Sequence, residues 1–166
     1  MPRPAFRLAI LAAVATLAGC ANFTEVAPGS MLTDVEASFG RHNHECPLPD
    51  GGKRVIWATQ PHGQYAWATN VSPTGQIDKI VPILTDEYFK KLHVGMTPDE
   101  LLCTYGPPAL IEPTGLGEMR RTVWSYRYRQ SGVWNSLMHV YINDNDQVDR
   151  FHPGPDPMFD EDRFFW

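Results

Sequence analysis

Two kinds of hydrophobic pattern alternate along the chain: short helical stretches that end at a glycine, and runs in which large and small side chains alternate. The clearest helical stretch starts at Thr97, which can form a capping box with Glu100 and so satisfy free amides of the first turn. Gly106, followed by two prolines, ends the stretch. Leu101 and Tyr105 lie four residues apart, so the pattern predicts a two-turn helix that buries this pair.

The same skeleton occurs earlier in the chain, at a constant offset of 66 positions. Gly29 aligns with Gly95, and Gly40 aligns with Gly106. Each copy is followed by alternating segments, which predict β-strands. A further short helix capped by Thr85 precedes the second copy and is predicted to form a helical hairpin with it. The predicted strands cover 54–59, 64–71 and 76–84 after the first copy, and 121–128, 136–142 and 147–151 after the second.

The order of these elements predicts an α+β fold of two tandem units, each with short helices packed on a three-stranded antiparallel sheet. The units cover 29–80 and 81–151. The stretches 41–53 and 109–120 are rich in proline and glycine and are interpreted as loops. The remaining segment 152–166 is an acidic, aromatic tail, either disordered or docked by its aromatic side chains.

Aromatic residues and histidine share single faces of the predicted strands. Alternation along a strand places Tyr65 and Trp67 on one face. It also places His139 and Tyr141 on the outer side of the strand 136–142, opposite apolar positions that face the helices. Such faces are either core or a surface for a protein partner, since Tyr and Trp are enriched at interfaces. The candidate partner-binding residues on these faces and in the tail are Tyr65, Trp67, Trp124, Tyr126, His139, Tyr141, Phe164, Phe165 and Trp166.

The first 19 residues have the pattern of a bacterial lipoprotein signal. Arg3 and Arg7 precede a short apolar run, and Leu-Ala-Gly then leads directly to Cys20. The run is too short to span a bilayer as a helix, which favours a cleaved signal over a membrane anchor. Acyl chains such as palmitate on Cys20 would hold the protein stably at the membrane, with 20–28 as a tether. Ala21 favours the outer membrane, so we expect a periplasm-facing, lipid-anchored domain.

Charge and cysteine content narrow the function classes. The formal net charge is −5, and removal of residues 1–19 would make it −7, which argues against electrostatic binding to nucleic acid. Besides Cys20, the chain contains Cys46 and Cys103. In an oxidising periplasm this pair favours a disulfide over two free thiols, and Cys103 lies on the helix side away from Leu101.

Residue patterns typical of catalysis or metal binding are weak in this sequence. His42, His44 and Cys46 alternate on one segment, but a fourth ligand is lacking and Cys46 is better used in the disulfide. We therefore expect a solvated loop there. His139 has no nucleophile near it in the sequence, so a surface histidine is favoured over a catalytic one. The sequence thus predicts no catalytic residue, no metal and no cofactor.

These features together resemble the SmpA/OmlA family of small, BamE-like outer-membrane lipoproteins, and the resemblance is strongest over 81–151. The doubled unit is similar to the tandem arrangement of β-lactamase inhibitor proteins, whose two units form a concave binding surface. The resemblance implies a non-enzymatic accessory or scaffold in outer-membrane protein assembly or envelope integrity. The alternative is an inhibitor-like module that caps another protein through a concave sheet. The matching positions are Gly95, Met96, Thr97, Glu100, Leu101, Gly106, Pro107, Trp124, Tyr126 and Val148.

Overall fold

The computed structural model describes residues 22–116 and 121–159 of the 166-residue chain. In these residues the protein is α+β, with three short α-helices and two four-stranded antiparallel sheets. The helices are α1 (Leu32–Phe39), α2 (Asp86–Phe89) and α3 (Pro98–Tyr105). The strands are β1 (His44–Pro47), β2 (Lys53–Ala58), β3 (Ala66–Val71), β4 (Val81–Pro82), β5 (Leu110–Thr114), β6 (Arg121–Gln130), β7 (Trp134–Ile142) and β8 (Val148–Pro155).

Each unit consists of one two-turn helix followed by a meander in which every strand pairs with the next: α1 with β1 to β4, and α3 with β5 to β8. The α+β class and the three predicted helices are confirmed. The predicted number of strands is wrong, because 41–53 contains β1 and 109–120 contains β5. The last strand of the first unit is also shorter than predicted, since Gln76 and Ile77 form only isolated bridges.

All four edge strands of the two sheets carry proline, and the four central strands carry none. Pro47, Pro82 and Pro113 lie in β1, β4 and β5, while β8 contains Pro153 and Pro155. Proline cannot donate a hydrogen bond to a neighbouring strand, so it is confined to edges, where it discourages pairing with another chain. The same prolines interrupt the alternating pattern, which is why the sequence predicts loops where β1 and β5 lie.

The helices and sheets are layered around two hydrophobic clusters. One face of the first sheet packs on α1 through Val35, Val55 and Trp57. Its other face packs on α2 and α3, which also cover the inner face of the second sheet. The order of layers is therefore α1, first sheet, α2 with α3, second sheet. The larger cluster, between the sheets, includes Ile56, Ala68, Phe89, Leu101, Tyr105, Trp124, Tyr126 and Val140.

Helix α3 joins the two units. Its predicted capping box is present, and Leu101 and Tyr105 are fully buried as the pattern predicts. The predicted disulfide is also present: Cys103 of α3 is bonded to Cys46 of β1, with their Cα atoms 5.7 Å apart. A helix of the second unit is thereby crosslinked to the edge strand of the first.

The segment before α1 belongs to the fold, although 20–28 is predicted to be a tether. Phe23–Glu25 forms one turn of 3-10 helix. The Phe23 ring stacks on Phe39 at a centroid distance of 4.2 Å and on Trp67 at 5.0 Å. These ring contacts fix the N-terminal segment to the face of the first sheet that also carries α1.

Candidate partner-binding surface

The outer face of the second sheet combines polar and aromatic side chains that point away from the core. Alternation along β6 and β7 turns Ser125, His139 and Tyr141 outward, while Met138 and Val140 are buried against the helices. The strand register places His139 directly beside Ser125 on one side and beside a histidine of β8 on the other. The outward direction of His139 and Tyr141 is the one that the sequence predicts.

A row of hydrogen bonds crosses this face. The Ser125 hydroxyl lies 2.9 Å from His139 Nδ1. His152 Nδ1 lies 3.1 Å from the Pro153 carbonyl oxygen, which can only accept, so the ring donates there. In the neutral ring Nε2 is then an acceptor, and the Tyr141 hydroxyl donates to it over 3.1 Å. The row holds these rings in fixed orientations on the sheet.

The surroundings of His139 favour the neutral form of its imidazole. Burial lowers the pKa of its ring, and the neighbouring His152 lowers it further, whereas Glu112 and Asp156 act in the opposite direction. The ring also packs closely on β8: a Cβ added at Gly154 would come within 3.0 Å of His139 Nε2. Glycine at this position therefore makes room for the ring.

Two adjoining hollows of about 310 and 400 Å³ lie over the outer face, and we call them together the outer groove. Glu112, Ser125 and His139 line both hollows. One end has apolar walls, and the other is polar and includes Tyr141. The groove therefore offers a partner a mixed surface with one carboxylate near its centre. The remaining walls are Leu110, Pro113, Thr114, Val123, Leu137, Pro155 and Pro157.

A buried ion pair lies next to the residues that line the apolar end of the outer groove. Arg127 Nε lies 3.2 Å from Asp156 Oδ2, although the N–H is not aligned for a hydrogen bond, and both side chains are almost inaccessible to solvent. Arg127 Nη1 also donates to the Pro61 carbonyl oxygen at 3.2 Å. Asp156 Oδ1 accepts from the Met158 amide. The pair thus ties the C-terminal segment and the β2–β3 turn to the second sheet.

The prediction that Trp124 and Tyr126 belong to a partner-binding surface is wrong. Both side chains lie in the core, and Tyr126 is fully buried. The Tyr126 ring contacts Tyr105 of α3 at 5.8 Å and Phe89 of α2 at 6.5 Å. Helices α2 and α3 cover this face of β6, so of the two interpretations that the sequence leaves open, core is correct for these residues.

Tyr65 and Trp67 lie away from the outer groove, on the first sheet. They share a face as predicted, with ring centroids 5.6 Å apart. Trp67 is half-buried, because Phe23 stacks on it, and Tyr65 remains exposed. The sequence does not reveal the covering ring, because Phe23 belongs to a segment with no helical or strand pattern.

Several predicted features lie elsewhere. Cys20, Phe164, Phe165 and Trp166 are outside the described residues. Among the residues that the structure describes, no group of three or more His, Cys, Asp or Glu side chains is placed to hold a metal ion. His42 instead lies between two carboxylates, Glu36 at 2.6 Å and Glu45 at 2.9 Å. No helix within 22–116 or 121–159 is long and apolar enough to cross a membrane.

Four residues of the outer groove and of the neighbouring ion pair are not among the candidate residues that the sequence predicts. Glu112 lies on β5, which the sequence pattern hides, and Asp156 lies in the predicted tail. Ser125 and Arg127 occupy the outward positions of β6, between aromatic residues. Alternation along β6 could have placed Ser125 and Arg127 on one face. It could not have shown which residues of other segments contact them.

Comparison with known proteins yields no relative. The chain matches no protein-family model, no curated protein and no solved structure. The resemblance to the SmpA/OmlA family and to β-lactamase inhibitor proteins therefore stays a prediction from the quoted residues.

Proposed function

We propose that the protein is a lipid-anchored outer-membrane lipoprotein that acts as a non-enzymatic, protein-binding accessory or scaffold in outer-membrane protein assembly or envelope integrity. The proposal combines the lipoprotein pattern that ends at Cys20 with the outer groove of the second sheet. The acyl chains hold the protein at the membrane, and an envelope protein packs into the groove.

The observation that carries this proposal is that the groove exposes ring surface that hydrogen bonds hold in a fixed orientation. His139 is hydrogen-bonded to Ser125, and Tyr141 is hydrogen-bonded to His152. A partner that covers these rings buries aromatic surface without leaving those hydrogen-bonding groups unpaired. Such a surface suits packing against another protein better than it suits the capture of a small polar substrate.

The Ser125–His139 pair is the arrangement in the described residues that most resembles a nucleophile with its base. It supports catalysis poorly, because Ser125 is buried in a central strand that pairs on both sides. The strand hydrogen bonds occupy the neighbouring backbone amides, which an oxyanion would otherwise need. A binding role therefore fits this pair better than acyl transfer.

Replacement of Cys20 by serine (Cys20→Ser) is expected to release the protein from the membrane fraction, because serine cannot carry the thioether-linked lipid and acyl chains. Fractionation of cells that express the tagged full-length chain measures the effect. Ala21→Ser is the matched control, since it keeps the cysteine, and it should stay with the membrane. Unchanged fractionation of Cys20→Ser would contradict the lipid anchor.

Affinity recovery of the tagged protein from solubilised membranes tests the binding role. Recovery of a membrane-protein assembly complex supports the proposal. Recovery of one soluble enzyme would instead favour an inhibitor-like module that caps another protein through its sheet. A hydrolase activity of the purified protein that is lost in His139→Ala would contradict the non-enzymatic role.

A further inference from the structure

Three large, exposed side chains lie at one end of the fold: Tyr65, Val133 and Trp134. Tyr65 precedes β3, whereas Val133 and Trp134 lie at the tip of the hairpin between β6 and β7. Their exposed fractions are 51%, 59% and 68%. Gln64 Nε2 donates to Asn135 Oδ1 at 2.9 Å, and this bond joins the chain neighbours of Tyr65 and Trp134. The loop of Tyr65 and the tip of this hairpin are therefore neighbours at one end of the fold, and we call the three exposed side chains there the end patch.

The N-terminal segment enters the fold beside the end patch. Phe23, stacked on Trp67, fixes the position of this segment on the first sheet. Only one residue separates Asn22 from Cys20, so the intervening backbone can span about 7 Å at most. A lipid on Cys20 is thus held close to this end of the fold. A hollow of about 610 Å³ at this end is lined in part by Asn22, Thr24, Tyr65, Ser131 and Gly132.

The opposite end of the fold lies far from the patch. Strand β7 starts at Trp134 and extends over nine residues, about 26 Å, to Ile142. Ile142 pairs with Val148, whose carbonyl oxygen accepts from the Gly95 amide. Val94 precedes this glycine and is 61% exposed. Val94 and Val133 are therefore the same residue type with similar exposure at opposite ends.

We propose that the end patch rests on the lipid surface to which Cys20 is anchored. This inference rests on the proposed lipid anchor and adds the orientation of the domain. Tyr and Trp side chains are favoured at the boundary between lipid and water, where the ring is in contact with lipid and the polar group with water. Asp86, Glu87 and Arg129 line the same hollow and leave it with an excess of negative charge, so this end of the fold fits a zwitterionic lipid surface rather than an anionic one.

This orientation leaves the outer groove open to a partner. Because β7 leads away from the end patch, its outward residues Leu137, His139 and Tyr141 lie at increasing distance from the lipid. The groove then faces sideways from the membrane. A membrane-bound partner can therefore reach it without displacing the lipid contact.

The test places an environment-sensitive fluorophore on the acylated protein, purified and inserted into phosphatidylcholine vesicles. Val133→Cys carries the probe at the end patch, and Val94→Cys carries it at the far end as the matched control. The native Cys46 and Cys103 are bonded to each other and do not react. Nitroxide-labelled phosphatidylcholine is expected to quench the probe at position 133 several-fold more strongly than the probe at position 94.

Equal quenching at the two positions, or stronger quenching at position 94, would overturn the inference. Added phosphatidylglycerol should not strengthen the quenching at position 133, and an increase would contradict the zwitterionic preference. Failure of the orientation is distinguishable from failure of the proposed function. If the protein stays in the vesicles while the probe at position 133 remains unquenched, only the orientation is wrong; if Cys20→Ser leaves membrane binding unchanged, the lipid anchor is wrong.

Discussion

Replacement of Arg127 by methionine (Arg127→Met) is expected to lower the free energy of unfolding by about 3–5 kcal/mol, because it leaves the Asp156 carboxylate buried without its counter-charge. Methionine keeps most of the side-chain volume, so lost packing contributes little. The contact with the Pro61 carbonyl oxygen is lost as well. Urea denaturation of the purified domain, followed by circular dichroism, measures the change.

Two further variants separate the buried charge from other causes. Arg150→Met removes an arginine from the same sheet face, but Arg150 is exposed and its guanidinium lies over the Tyr141 ring, so the expected loss is below about 1 kcal/mol. Asp156→Asn, added to Arg127→Met, should restore part of the stability, since it removes the unpaired charge and keeps the oxygen that accepts from Met158. Equal losses in Arg127→Met and Arg150→Met would show that burial of the pair does not matter.

Loss of the disulfide is expected to destabilise the fold by about 4 kcal/mol, the value that the chain-entropy model gives for a loop of this length. Cys46 and Cys103 lie 57 positions apart, and the loop they close contains most of the first unit. The double variant Cys46→Ala with Cys103→Ala should therefore unfold at a lower urea concentration than the wild-type protein.

Chemical reduction of the disulfide gives a second measure of the stability that the crosslink adds. The wild-type protein in the presence of reductant should unfold near the midpoint of the double variant, while the double variant itself should not respond to reductant. An identical midpoint for the oxidised wild type and the double variant would mean that the crosslink adds no stability. Thiol labelling of the unfolded, unreduced domain should find Cys46 and Cys103 unreactive.

The helices and central strands follow from local signals in the sequence. Helix α3 has a capping residue, an apolar face and a terminating glycine within a dozen residues, and β6 and β7 alternate clearly enough to place Tyr141 outward. The edge strands β1 and β5 have no such signal, because exposure removes the alternation and proline interrupts it. β1 and β5 are strands only because a partner strand supplies their hydrogen bonds.

The candidate site is less predictable than the fold because its parts meet through pairing of distant segments. His139 and Ser125 are 14 positions apart, and the ion pair of Arg127 with Asp156 spans 29 positions. Whether Trp124 and Tyr126 are core or surface depends on which side of the sheet the helices cover. That choice is settled by packing of α2 and α3, and alternation alone leaves it open.

The end patch and the outer groove have separate proposed roles. We propose that the end patch meets the lipid surface and that the outer groove binds a protein partner. Every edge strand carries proline, which discourages the addition of a strand from another chain at the sheet edges. This supports binding of a partner to a sheet face. The outer groove is therefore the surface that we propose binds the partner.

Site-specific photocrosslinking in living cells is the sharpest test of partner binding in the outer groove. Tyr141→p-benzoylphenylalanine places the reactive group in the outer groove, and Val94→p-benzoylphenylalanine places it at the exposed far end as the control. We expect a covalent adduct with an envelope protein from position 141 and none from position 94. An adduct from position 94 alone, or no adduct from position 141 in a protein that remains folded and membrane-bound, would contradict it.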